Sequence, residues 1–115
     1  MIIKTTTGYR FGGYNPLFWD QSSSYKKDIL TFIFSLDKKK KYTLKSGQES
    51  NSVYGDSSWV AFGGGFDIGI YNQCTKNNIS YINTPFSFNT TEQYELSGGQ
   101  YNITVSDYEV YSVEF

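Results

Sequence analysis

Between positions 29 and 36 the chain reads Ile-Leu-Thr-Phe-Ile-Phe-Ser-Leu, with no Gly or Pro and with β-branched or aromatic side chains at most positions. Such a run favours a strand, because these side chains lose rotamer freedom in a helix and fit a pleated surface well. Leu30, Phe32, Phe34 and Leu36 fall on one face at period two, and Ile29 and Ile33 on the other. Both faces are apolar, so a strand in the middle of a sheet, covered on both sides and central to the core, is expected. No window of a dozen residues places apolar side chains at helical spacing. The expected class is therefore mostly β, an antiparallel β-sandwich.

The rest of the chain extends this pattern. The four lysines 38–41 suit a solvated turn into a strand at Tyr42, Thr43 and Leu44 better than a phosphate-binding patch. The polar stretch 45–58 is expected to be a surface loop that separates this hairpin from Trp59, Val60, Ala61 and Phe62. In the next segment Phe66, Ile68 and Ile70 alternate with small or polar residues, as in a half-buried strand. Residues 72–93, which include Pro85, read as loop. Tyr94, Glu95 and Leu96, with 101–105, flank the glycine-bearing turn 97–100 as a hairpin. A last strand is expected over 108–115. No repeat, linker or low-complexity block divides the chain, so residues 1–115 are expected to form a single domain.

Composition removes several classes of function. Ten basic and eleven acidic residues leave a formal charge of -1, which draws the chain toward neither nucleic acid nor anionic lipid. The single cysteine, Cys74, cannot form an internal disulfide, and a reducing compartment is expected. A charged and apolar leader is missing, as is any apolar run of membrane-spanning length, so a soluble, cytoplasmic protein without direct membrane insertion is expected. The acceptor patterns at Asn78, Asn89 and Asn102 are what a chain rich in Asn, Ser and Thr produces by chance.

The chemistry available is sparse. Without histidine there is no Ser-His-Asp or Cys-His arrangement and no histidine-bearing zinc site. One cysteine gives neither a redox pair nor a thiolate cluster, and Cys74 beside Lys76 lacks a resolving partner. Asp67, Glu95, Asp107 and Glu109 are the carboxylates open to acid-base work, but no spacing pairs two of them. Glycines 63–65 meet neither the Walker nor the dinucleotide pattern, and a kink admitting Trp59 and Phe62 to the core is preferred. Tyr9, Phe11, Tyr14, Phe18 and Trp19 suit core packing better than a sugar- or base-stacking platform. No catalytic residue, cofactor or metal is expected.

Certain residues, taken in order, resemble a known family. Phe11-Gly12-Gly13-Tyr14, then Trp19-Asp20, then Asp28 leading into Phe32-Ile33-Phe34-Ser35-Leu36 resemble the TLDc signature of a Phe-Gly-Gly-aromatic turn, a Trp, and an aspartate followed by a Phe-Leu-Phe-Ser-Leu strand. Phe62-Gly63-Gly64-Gly65-Phe66-Asp67-Ile68-Gly69-Ile70 resembles the family's Phe-Gly-Gly-Gly-x-Asp-Leu-x-Ile segment. Tyr94-Glu95-Leu96, Gly98-Gly99, Tyr101-Asn102-Ile103 and Tyr108-Glu109-Val110-Tyr111-Ser112-Val113 resemble its close. The resemblance implies a sandwich with a few short helices, no enzymatic turnover, and a role in oxidative-stress protection and in binding a vacuolar proton-ATPase subunit. It also implies that the elements ahead of the Phe-Gly-Gly turn have no counterpart before Met1, so that the chain is a partial domain.

Among the family-matching positions, Phe11, Gly12, Gly13, Trp19, Phe34, Gly63 and Gly64 read as structural, glycines for turns and aromatics for core. Asp67 and Glu109 are carboxylates in apolar strands, which either face water or need partners. They are the expected contact surface. Two alternatives stand beside this reading. One is a carbohydrate-binding or hydrolytic sandwich, marked by two carboxylates about 5 to 9.5 Å apart in a cleft lined by Tyr or Trp. The other is a truncated domain without independent function.

Overall fold

The computed structural model describes residues 1–15, 24–26, 30–55, 59–64, 67–71, 74–90 and 93–109, of which 24–26 and 59 are described by backbone alone. Ile29, Gly65, Phe66, Phe18, Trp19, Asp20, Asp28, 110–115 and the Trp59 side chain, all named in the expectations above, lie outside this description. Among the described residues the alternating segments form strands: β1 (Ile2–Thr5), β2 (Arg10–Tyr14), β3 (Ser24–Lys26), β4 (Phe32–Ser35), β5 (Lys40–Thr43), β6 (Val53–Gly55), β7 (Trp59–Phe62), β8 (Ile68–Tyr71), β9 (Ser80–Ile82), β10 (Asn102–Ile103) and β11 (Val105–Glu109). Three single 3-10 turns, Glu49–Asn51, Cys74–Lys76 and Glu95–Ser97, are the helical structure among these residues.

Every strand pairing is antiparallel. The first sheet runs β11-β1-β2-β4-β5 and the second β10-β9-β8-β7-β6-β3. One core fills the space between them. The first sheet supplies Ile3, Phe11, Ile33 and Tyr42, and the second Val53, Phe62, Ile68, Ile82 and Ile103. Each fully buried aliphatic or Phe side chain here stabilises the fold by about 1.5–3 kcal/mol. The Phe62 ring of the second sheet lies on Gly13 of the first, so that a Cβ on Gly13 would overlap the ring. The expected mostly β antiparallel sandwich is the fold observed.

Several local expectations differ from the structure, each for a physical reason. β4 is internal to its sheet, between β2 and β5, as expected, but it is not covered on both faces. Its inward residues are Ile33 and Ser35, while Phe32 and Phe34 are half-buried on the outer face and Leu30 is 65% exposed. Period two defines two faces without saying which meets the other sheet, and here the bulkier face is the outer one. The expected loop 45–58 contains β6, and the expected loop 72–93 contains β9. Both are three-residue strands in polar surroundings, too short to show a period.

The expected hairpin around 97–100 does not form. Glu95, Leu96 and Ser97 are all buried, and three successive buried residues cannot come from a strand with one face toward the core. They form a 3-10 turn entered through Tyr94 at a left-handed φ of 53°. The following strands then separate, β10 pairing with β9 in the second sheet and β11 with β1 in the first.

Candidate functional site

Two buried carboxylates organise the polar interior. Asp67, 0% exposed, stands at the entrance to β8, and its carboxylate accepts the backbone N–H groups of Phe86 at 3.0 Å, Ser87 at 3.0 Å and Phe88 at 3.2 Å. Three successive amides thus turn toward one anion, an arrangement a carboxylate favours because each donor is already oriented. Burial pushes its pKa up to about 6, outweighing the pull of the Ser87, Phe86 and Phe88 amides toward the ionised form.

The contacts around Asp67 tie three loops together. Ser87 Oγ accepts the Gly64 amide at 2.7 Å and donates to Gln48 Oε1 at 2.9 Å. Ser87 O accepts the Lys45 amide, and Ser52 O accepts that of Gly63. Gly63 sits at φ +88° in the turn between β7 and β8, and a Cβ there would collide with the Asp67 carboxylate. Only glycine meets both demands. The Gly63–Gly64–Asp67 motif is thus a loop anchor. Asp67 does not offer a contact surface, because its oxygens point inward and are occupied.

Glu95 is the second buried carboxylate, brought inward by its 3-10 turn. Its Oε2 accepts a hydrogen bond from the Tyr42 hydroxyl and lies 3.3 Å from Lys38 Nζ, which joins the β4–β5 turn to the 95–97 turn across 57 positions of sequence. These turns border a cleft of about 250 Å³ that is also lined by Tyr9, Asp37, Gln93 and Gly98. Tyr9, Asp37 and Glu95 therefore share one cleft, the composition a hydrolytic site would have. Both Asp37 oxygens are engaged by Arg10, Oδ2 by its amide at 2.6 Å and Oδ1 by Nε and Nη2 at 3.2 Å. With Glu95 held by Tyr42 and Lys38 as well, the two carboxylates serve the turns that form the cleft.

Glu109 is exposed on β11, opposite Ile2 of β1. Asp107 is exposed on the same strand, and the two do not approach Asp67 or Glu95 in the fold's pairing. Phe11 is fully buried. A Cβ on Gly12 would meet Met1 O and the Phe34 ring, so Gly12 lets Phe34 lie flat on the sheet. Tyr81 and Tyr101 stack at 5.1 Å, with Tyr71 against Tyr81 at 6.5 Å and Tyr94 edge-on to Tyr101 at 5.4 Å. These rings cover one another, using faces that a sugar or base would need. Cys74 is buried, and burial raises its thiol pKa, away from the reactive thiolate.

Sequence reasoning named Asp67 and Glu95 but not their partners. A carboxylate in an apolar strand signalled a need for partners at Asp67, whereas no local signal joins Lys38 and Tyr42 to Glu95. No helix among the described residues is long and apolar enough to cross a membrane, and no group of three or more His, Cys, Asp or Glu among them is placed to hold a metal ion.

Fold and interior together define an antiparallel two-sheet sandwich domain whose loops are pinned by buried carboxylates. The family model for the TLDc domain matches residues 1–114, and the chain belongs to the TLDc domain family. No curated protein and no solved structure gives a significant match.

Proposed function

We propose that this TLDc domain is a non-catalytic, cytoplasmic protein-interaction module that docks on a protein partner, a subunit of the vacuolar proton-ATPase, in a pathway of oxidative-stress protection. The observation that carries the reading, beside family membership, is the cleft between the β4–β5 turn and the 95–97 turn. At about 250 Å³ it is smaller than the ~300–1,000 Å³ of small-molecule sites. A single side chain from a partner fits such a volume. Asp37 and Glu95 on its walls are already balanced by Arg10 and Lys38, so the cleft suits an uncharged side chain, an aromatic or amide that can lie against Tyr9. Glu109, exposed on β11 at the opposite edge of the first sheet, is a separate point of contact.

The test is co-sedimentation of the purified chain with the purified peripheral sector of the proton pump, beside another TLDc domain that binds it. Saturable binding that weakens with salt is expected. Its absence, where the reference domain binds, would remove the reading. The hydrolytic alternative is tested on chromogenic glycosides. Steady turnover that Glu95→Gln abolishes would replace the interaction reading with it.

A further inference from the structure

The outer face of the first sheet carries an ordered charge pattern. Reading the register across all five strands, Glu109, Ile2, Gly12, Phe34 and Lys41 stand in one row. In the next row Asp107 stands opposite Lys4, and Lys4 opposite Arg10. Beyond Arg10 lies the turn that carries Lys39, since Arg10 O accepts the Leu36 amide. Acid therefore marks the β11 edge and base the β5 edge. Between them lies an apolar stripe of half-buried Ile2, Phe34 and Phe32, which Gly12 leaves low enough for Phe34 to lie flat. Lys41 is held on this face, its Nζ 4.6 Å from the Phe32 ring centroid.

We propose that this face is a homodimer interface, closed by a twofold axis that runs along the strands of the first sheet through β2. Such an axis carries the β11 edge of one copy over the β5 edge of the other while keeping each row in place. Glu109 then meets the partner copy's basic edge at Lys41, Asp107 meets the turn bearing Lys39, and Ile2 packs on Phe34. A twofold axis across the strands would instead lay the acidic edge on its own copy, where like charges repel. The pattern therefore selects one geometry, and the same patch serves both copies, as a closed twofold contact requires. Arg10, next to the axis and facing its own copy, is neutralised by Asp37 at 3.2 Å within each chain.

The size of the face sets the strength of association. Five strands at ~4.8 Å spacing and four to five residues at ~3.3 Å cover about 350 Å² per copy. This is below the ~800 Å² per partner of a standard interface. The dimer is accordingly weak and depends on concentration and salt. It requires nothing of the proton pump and is tested on the purified chain alone, so it stands or falls apart from the proposed function, with which it shares Glu109 and would compete at that edge.

Sedimentation equilibrium of the full chain, from roughly 10 μM to 1 mM, tests the inference. Reversible dimerisation is expected, with Lys41→Glu and Glu109→Lys each raising the dissociation constant about tenfold or more. Mixing these two variants is expected to restore association as a heterodimer, since both junctions again pair opposite charges, and the double variant K41E/E109K is expected to self-associate. Both positions are exposed, and urea midpoints equal to the wild type's confirm that each variant folds. Single reversals without effect, or a mixture no better than its parts, would overturn the proposal. So would a wild-type chain that stays monomeric throughout, with this face taken by a different protein or by another segment of the same chain.

Discussion

Replacing Asp67 by asparagine isolates the cost of holding a carboxylate in the interior. Burial pushes the folded-state pKa up to about 6 from an ordinary value of 3.8. Between these values the folded protein keeps a proton that the unfolded chain has released. The stabilisation linked to this proton is therefore complete below the unfolded value and is lost as pH rises through the folded one. A shift of about two units corresponds to about 3 kcal/mol at 1.36 kcal/mol per unit. The substituted amide does not titrate, and every other ionisable group is common to both proteins. The stability of the wild type minus that of Asp67→Asn should thus fall by about 3 kcal/mol between roughly pH 3.5 and 7.5. Urea unfolding at half-unit pH steps measures the difference. A flat difference would refute the reasoning, and one that grows with pH would show that the Phe86, Ser87 and Phe88 amides outweigh burial.

Other consequences follow from the same packing. Gly13→Ala forces a Cβ into the Phe62 ring and is expected to lower stability by about 1–3 kcal/mol, read as a lower urea midpoint. Ile33→Ala should cost about 2–5 kcal/mol and Leu30→Ala under about 0.5 kcal/mol, because Ile33 is fully buried and Leu30 is 65% exposed; equal effects would show the faces of β4 to be assigned wrongly. Glu95→Ala should cost about 2–4 kcal/mol, more than Lys38→Ala at about 1 kcal/mol, since the Lys38 side chain is 37% exposed and that of Glu95 is fully buried. In native protein Cys74 should resist a thiol reagent and react only once urea unfolds the chain.

How much of this was legible in the sequence depends on how local each signal is. The two-sheet class was, because alternation without helical spacing is a property of short windows. Strand 68–71 was located by alternation and strand 32–35 by its β-branched and aromatic content, whereas 59–62 was not read as a strand. Which face of β4 meets the second sheet was not, since Ile33 is fixed inward by its pairing with Gly13 and Tyr42 on neighbouring strands. At the candidate site, the need of Asp67 for partners was visible in a carboxylate among apolar residues, but the partners themselves lie about twenty positions away in a segment that reads as loop. Lys38, Tyr42 and Glu95 meet only because the chain bends through a 3-10 turn where tyrosine and leucine suggested a strand.

The pairing of β1 with both β2 and β11 has a consequence for synthesis. β1 emerges about a hundred residues ahead of its second neighbour, β11, so the first sheet stays open along that side while the intervening strands are made. A nascent chain halted before Val105 would present the unpaired backbone of β1 as a template for other strands. The interval before β11 emerges is thus when this fold is most in need of chaperone protection.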